Sequence, residues 1–307
     1  MSLTRSLLLY ASRSQRLAAA LRQRRFVSRA VSRFMPGEEL SAALETARRL
    51  AGAGIGTVLT QLGENVTAIA EADGVRRHYL DVLEDIGQAG LPAQISVKLT
   101  QLGLDVDRAA CEHALRSLVA RAAKGGATLW VDMEDSRYTD VTLDLYRKVR
   151  ADSPCVGVCL QAYLRRTPAD LAALLPLQPA IRLVKGAYAE APAVAYPRKR
   201  DVDAAYYSLA GLLLERAAQG AARPVFGTHD LALVARIRAR AADLRVPPGA
   251  CEFHLLYGIR ERDQRALAAD GAVVRVLISY GSAWFPWYMR RLAERPANLW
   301  FVIKNLI

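Results

Sequence analysis

From residue 39 onward the chain alternates two hydrophobic patterns. Short runs rich in β-branched and apolar residues recur at Thr57–Leu62, Gln94–Leu99, Thr128–Met133, Val156–Ala162, Ala180–Lys185, Pro224–Thr228, Glu252–Leu256 and Val273–Ser279. Between them lie segments with apolar residues at helical spacing, among them Leu40–Leu50, Arg108–Ala123, Asp201–Ala218 and Leu231–Ala242. Strands that alternate with helices imply parallel pairing, because a parallel crossover needs a helix-length connection. Eight such units predict a closed (β/α)8 barrel of the α/β class, TIM-like, over an open sheet. No Pro-, Ser- or Gly-rich linker divides the chain, so the pattern predicts one barrel over residues 39–307 preceded by a helical arm over 1–38. Gly52, Gly54 and Gly56 follow a helix and precede a strand, the reverse of a dinucleotide fingerprint, and are expected to end the helix and turn into the first strand.

Composition narrows the class of partner. The chain of 307 residues is 52% hydrophobic and carries a net charge of +12. Eight arginines and no acid fall within residues 1–35, so most of the excess charge sits in the arm and the rest of the chain is nearly balanced. No basic face interleaved with aromatics follows, which argues against nucleic acid as a partner. An acid-free, Arg-rich arm fits either a basic amphipathic helix resting on an anionic membrane surface or a mitochondrial transit peptide. The apolar runs are far too short to span a bilayer. The four cysteines form no CxxC pair and the four histidines are scattered, so reduced core cysteines and no metal site are expected.

A barrel enzyme works at the C-terminal ends of its strands. Seven successive strands place a polar or ionisable residue there: Glu64, Lys98, Asp132, Gln161, Arg182 with Lys185, Thr228 with His229, and His254. The excess of cations points to an anionic ligand, a phosphate or a carboxylate. Beyond the eighth strand, Arg290, Arg291 and Glu294 share one helical face. Such a set is ordinarily a surface ion pair, but two guanidiniums beside a carboxylate can also fork a small substrate's carboxylate. From these residues alone, a Schiff-base aldolase using Lys98 or Lys185 remains a rival.

The motifs Ser96-Val-Lys-Leu99, Val131-Asp132, Leu160-Gln-Ala-Tyr163, Arg182-Leu-Val-Lys-Gly-Ala-Tyr188, Gly227-Thr-His229, Leu256-Tyr-Gly258 and Arg290-Arg-Leu-Ala-Glu294 resemble proline dehydrogenase, in the family's order and over nearly all of residues 30–307. The length resembles the stand-alone bacterial enzymes. The resemblance implies an FAD-dependent oxidation of L-proline to Δ1-pyrroline-5-carboxylate, by hydride transfer from C5 to flavin N5, as the first step of proline catabolism to glutamate. It implies a membrane quinone as electron acceptor and a cytoplasmic enzyme peripheral to the inner membrane, with a mitochondrial location as the alternative. It places Gln161, Arg182, Val184, Lys185, Gly186, Ala187, Thr228 and His229 on FAD, with Glu294 beside them bracing Arg291. Lys98, Arg290 and Arg291 would clamp the carboxylate, Asp132 would orient Lys98, Leu256, Leu277 and Tyr280 would face the substrate, and Glu64 would close on Arg290 as a gate.

Two positions depart from the family pattern. Leu277 stands in Arg275-Val-Leu-Ile-Ser-Tyr-Gly281 where the family has a tyrosine, and His254 stands where glutamine is common. Leu277 opens two alternatives to proline itself: another cyclic secondary amino acid, such as hydroxyproline or pipecolate, or a catalytically dead barrel kept as a membrane-surface binding module.

Overall fold

The structure is a computed structural model and describes residues 31–285. Most of the predicted arm, and the helical segment with Arg290, Arg291 and Glu294, lie outside the described residues. The strands are β1 (Gly56–Gln61), β2 (Ala93–Val97), β3 (Leu129–Val131), β4 (Val156–Gln161), β5 (Ala180–Val184), β6 (Arg223–Gly227), β7 (Glu252–Leu256) and β8 (Val273–Tyr280). Helix α1 (Leu40–Ala51) precedes β1. Then α2 (Ile69–Gln88), α3 (Arg108–Lys124), α4 (Thr139–Asp152), α5 (Thr167–Leu174), α6 (Lys199–Ala218), α7 (Leu231–Asp243) and α8 (Glu261–Ala269) alternate with the strands. All eight predicted strands and the four predicted helices are present, with ends shifted by a residue or two.

Local chemistry sets several of these boundaries. Asp107 accepts from the amides of Ala109 and Ala110 at 2.8 and 3.1 Å and so starts α3, and Asp230 accepts from Leu233 N at 3.3 Å to start α7. Gly52 ends α1 and Gly54 turns the chain at φ 70° into β1, as the glycine spacing predicts.

All neighbouring strands pair in parallel, and β1 closes on β8 from Gly56↔Arg275 to Gln61↔Tyr280. Strand residues alternate between the two sides of the closed sheet. One set, including Ile95, Val131, Leu160, Ile181 and Phe226, joins the large core shared with the helices. The other set turns into the barrel, where Val58, Trp130, Ala180 and Val225 pack together with Leu277 against them. Burial on both sides explains why β2 and β4 are buried end to end and why the runs read as continuously apolar.

Trp130 is the largest side chain inside the barrel, fully buried, with Nε1 donating to Gln94 Oε1 at 2.6 Å. It fits because its neighbour on β4 is Gly157: a Cβ there would lie 2.4 Å from the indole. Below Trp130 the N-terminal end of the barrel is filled by charge. Glu252 accepts from Arg223 Nε at 3.0 Å and from Arg275 Nε at 2.7 Å. Arg223 also donates to Thr128 Oγ1 at 2.8 Å, and Arg275 to the Pro92 carbonyl at 2.8 Å. Glu252 is the deeply buried member, and two guanidiniums from neighbouring strands compensate it, which is the condition under which a buried carboxylate is tolerated.

The described end of the arm packs on the barrel. Val31 and Met35 are buried, and Glu38 accepts from Trp284 Nε1 at 2.8 Å.

Candidate active site

The inward parity that sets Trp130 in the barrel carries the next inward residues to the mouth. Lys98 and Asp132 follow β2 and β3, Gln161 and Val184 end β4 and β5, and Leu256 ends β7. With Leu277 and Ser279 of β8 they line a cavity of about 420 Å³, to which six strands contribute directly and β2 and β3 through the residues that follow them. Glu64, Arg182, Lys185, Gly186, Ala187, Thr228, His229 and His254 complete the expected wall. The polar residues anticipated at seven strand ends therefore converge on one space.

Tyr280 does not. It follows Ser279 by one residue, so its parity turns it outward. It is 1% exposed, and its hydroxyl lies 2.7 Å from His78 Nε2 on α2. The tyrosine fastens a helix to the outside of the barrel instead of facing a ligand.

Two charged assemblies organise the cavity. In the first, Arg182 donates through Nη2 to Ser96 Oγ at 2.8 Å and also to Asp132. Asp132 in turn accepts from Ser96 Oγ at 2.8 Å and pairs with Lys98 at 3.6 Å. One carboxylate thus holds two cations from different strands. Arg182 Nη1 is buried with no hydrogen-bond partner among the described residues. In the second assembly, Lys185 Nζ donates to Asp203 at 2.5 Å and to Asp230 at 3.0 Å. The hydrogen bond from Lys185 holds the Asp230 carboxyl below its usual range. Burial pushes Asp203 up, but Lys185 and Lys199 outweigh it and the net direction is down.

Gln161 is 3% exposed and donates through Nε2 to the carbonyls of Met133 and Glu134 at 3.3 and 3.2 Å. That fixes the amide with Oε1, which has no partner among the described residues, as a free acceptor. Glu134 ties the loops after β2 and β3 together, accepting from Thr100 N at 3.1 Å and Thr100 Oγ1 at 2.6 Å. Burial raises its pKa. Gly186 lines the cavity after β5 at φ 111°, and a Cβ there would lie 2.2 Å from the Tyr163 ring, so both the turn and the close packing of that ring require glycine. His229 Nε2 accepts from Leu256 N at 3.3 Å and joins β6 to β7 at the rim.

Ser96, Trp130, Glu134 and the Arg223–Glu252–Arg275 cluster are site-supporting residues that the strand-end reading missed. Counting back in steps of two from Lys98, Asp132, Leu256 and Leu277 reaches Ser96, Trp130, His254 with Glu252, and Arg275. That periodicity is the signal that could have found Ser96, Trp130, Glu252 and Arg275, while Glu134 and Arg223 lie outside those counts. Among the described residues no group of three or more His, Cys, Asp or Glu is placed to hold a metal, and no helix is long and apolar enough to cross a membrane. All four cysteines are unpaired, with Cys111 and Cys159 buried.

The proline dehydrogenase family model matches residues 43–304. The chain belongs to the proline dehydrogenase family. Proline dehydrogenase 1 of Bacillus subtilis is 36% identical to it over 275 residues, 90% of each chain. The proline dehydrogenase of Deinococcus radiodurans is 35% identical over 280 residues, 90% of this chain and 89% of its own. These relatives are stand-alone proteins of similar length, as the resemblance implied. Proline utilization A from Bdellovibrio bacteriovorus, solved after inactivation by N-propargylglycine, matches the fold with a TM-score of 0.82 at 22% identity. The match covers 94% of this chain and 36% of that one. Within the family fold, then, the cavity at the barrel mouth is where this chain's own residues must be weighed.

Proposed function

We propose that the chain is an FAD-dependent dehydrogenase that oxidises L-proline to Δ1-pyrroline-5-carboxylate. The observation that carries this reading is the pair of buried, orphaned polar atoms on adjacent strands, Gln161 Oε1 and Arg182 Nη1, whose residues line one cavity in a chain of this family. A fixed acceptor and a fixed cationic donor suit a planar heterocycle that offers both N–H and ring-nitrogen or carbonyl groups. Lys185, Gly186 and the Thr228–His229 corner line the same cavity and offer backbone and side-chain polar groups to a dinucleotide. Gln161, Arg182, Val184, Lys185, Gly186, Ala187, Thr228 and His229 would hold FAD. When bound, the flavin supplies the two-electron acceptor.

The protein's contribution is position and charge. Lys98, fixed by Asp132, binds the substrate carboxylate together with Arg290 and Arg291, and Leu256 and Leu277 provide an apolar wall for the ring. The Lys98–Arg182–Lys185 set disfavours a further positive charge, so it favours the amine in its neutral form. The hydride leaving C5 would pass to that two-electron acceptor, and the proton of the amine would be released to solvent as the C=N bond forms. Holding the reacting carbon in one orientation is the kind of constraint that lowers a barrier by several kcal/mol, about 7–11 in the most favourable intramolecular cases.

The electron acceptor in this reading is a membrane quinone, and the protein sits in the cytoplasm, peripheral to the inner membrane. The exposed large hydrophobic residues among those described, Ile69 at the start of α2 and Val106 on the loop after β2, lie on the connections that leave the C-terminal ends of β1 and β2, at the mouth side of the barrel. That position supports approach of an apolar acceptor to the open end, and the arginine-rich arm is suited to an anionic surface. A second reading, a different cyclic secondary amino acid, is favoured by Leu277, which faces the cavity where the family carries a phenol.

The deciding experiment is anaerobic. Purified protein should show an oxidised-flavin spectrum that bleaches on adding L-proline. A flavin band that proline leaves unchanged but hydroxyproline or pipecolate bleaches selects the second reading. Absence of flavin after incubation with FAD removes both.

A further inference from the structure

Arg182 and His254 both pack against the indole of Trp130, with the guanidinium carbon 5.3 Å from its ring centroid and the imidazole in a T-shaped contact at 5.6 Å. Both line the cavity, and each keeps one nitrogen without a partner among the described residues: Nη1 of Arg182 and Nδ1 of His254. The His254 side chain is 3% exposed, so bulk water does not serve that atom. A buried polar atom left unsatisfied costs about 1–3 kcal/mol, which makes Nδ1 a site that a ligand would satisfy.

The other side of the ring decides which kind of ligand atom fits. His254 Nε2 lies 3.5 Å from Glu252 Oε2. Burial pushes the Glu252 carboxyl up, but its hydrogen bond with His254 and the charges of Arg223 and Arg275 hold it well below the usual range, so it is an anion. A lone pair on Nε2 would face that anion and be repelled, whereas an N–H is attracted. The neutral ring therefore carries its proton on Nε2, and Nδ1 is an acceptor.

We infer that His254 contacts the bound ligand directly, its Nδ1 accepting a hydrogen bond from a ring N–H, and that Glu252 is the positioning residue that sets its tautomer. The inference rests on the flavin and cyclic-amine reading, which offers two sources of that donor: the imide N–H of the flavin ring or the ring amine of the substrate. The groups facing His254 are Glu252 on its own strand, Arg182 on β5 and Arg275 on β8. Burial, the two arginines and the carboxylate together leave its pKa at about 4, so the acceptor is unprotonated at neutral pH.

The test uses full-length protein labelled with 15N-histidine. With four histidines in the chain, the signals missing in H254Q identify His254. The expected spectrum at neutral pH has the proton on Nε2 and an unprotonated Nδ1. A proton on Nδ1 overturns the inference, and this readout on the wild-type protein does not depend on any variant folding. Affinities then separate the two donors. If the flavin donates, H254L should bind FAD about tenfold more weakly, the scale of one lost hydrogen bond. If the amine donates, FAD affinity stays and the proline dissociation constant rises by a similar factor. H254Q, which keeps an acceptor oxygen, should stay near wild type in both. H254L matching wild type in both affinities also overturns the inference. A wild-type protein that takes up no FAD would instead sink the cofactor reading, leaving the tautomer and proline affinity to judge His254.

Discussion

Arg182 and Asp132 form a largely buried ion pair at the barrel mouth, with Nη2 on the carboxylate and Nη1 buried without a partner among the described residues. The carboxylate also faces Lys98 at 3.6 Å. Asp132→Asn keeps the shape but removes the charge that holds two cations together. Leaving such cations partly uncompensated should cost about 2 kcal/mol of stability, at the low end for a broken buried pair because the amide keeps one hydrogen bond. The rate of flavin reduction by proline should fall by at least about tenfold, since Lys98 and Arg182 would both lose their orientation. Denaturant unfolding and anaerobic stopped-flow measurements check the two parts. An unchanged midpoint and an unchanged rate would dissolve the proposed scaffold.

Gly186→Ala tests the glycine turn after β5. The residue sits at φ 111°, and the added methyl would lie 2.2 Å from the Tyr163 ring. Left-handed strain together with a forced shift of a packed ring should cost on the order of 1–3 kcal/mol. The loop should move into the cavity, so FAD retention during purification should drop with the thermal midpoint. Full flavin content at an unchanged midpoint would show that the loop relaxes freely.

The barrel was legible because its signal is redundant. Eight buried strands read as apolar runs, each separated by one helix, and an error of a residue at one end changes nothing about closure. The mouth was legible for a related reason: in a barrel, position along the strand determines position in the site, so Lys98, Asp132, Gln161 and Arg182 could be placed together without knowing any contact. Tyr280 shows where that logic needs parity as well. Adjacent to Ser279 in sequence, it lies on the opposite side of the sheet, bound to His78. The floor was not legible, because Arg223, Glu252 and Arg275 look like solvated charges at strand starts until three strands bring them into one cluster.

Leu277 faces the cavity and packs on the Val58–Trp130 layer inside the barrel. Leu277→Tyr adds a ring and a hydroxyl at the wall and narrows the space for the substrate. A change of one or two methylene-sized groups in an apolar pocket is worth about 1–3 kcal/mol of discrimination. The ratio of kcat/KM for proline over a six-membered or hydroxylated ring should therefore rise by at least about tenfold in the variant, the low end of that range. The same ratio in both proteins would remove Leu277 from substrate selection.

The buried imidazole makes stability depend on pH in a predictable direction. Burial lowers the His254 pKa to about 4 in the folded chain, against about 6.5 when unfolded. Between those values the unfolded chain binds the extra proton and the folded chain does not, so stability must rise with pH across the window. Acidification from about pH 6.5 toward pH 4 should thus cost on the order of a few kcal/mol through this one residue. His254→Gln has nothing to titrate there, so its unfolding free energy should be flatter over the same range. The depressed carboxylates, Glu252, Asp203 and Asp230, act in the same direction but at lower pH. Their contribution is complete above their unfolded values near pH 4 and is lost only as the pH falls below them. Urea titrations of the two proteins at several pH values separate the effects, because the difference between the curves isolates His254. Parallel curves from pH 4 to 7 would mean that the imidazole is solvated or already charged in the native state, and the assignment of Nδ1 as an acceptor would fall with it.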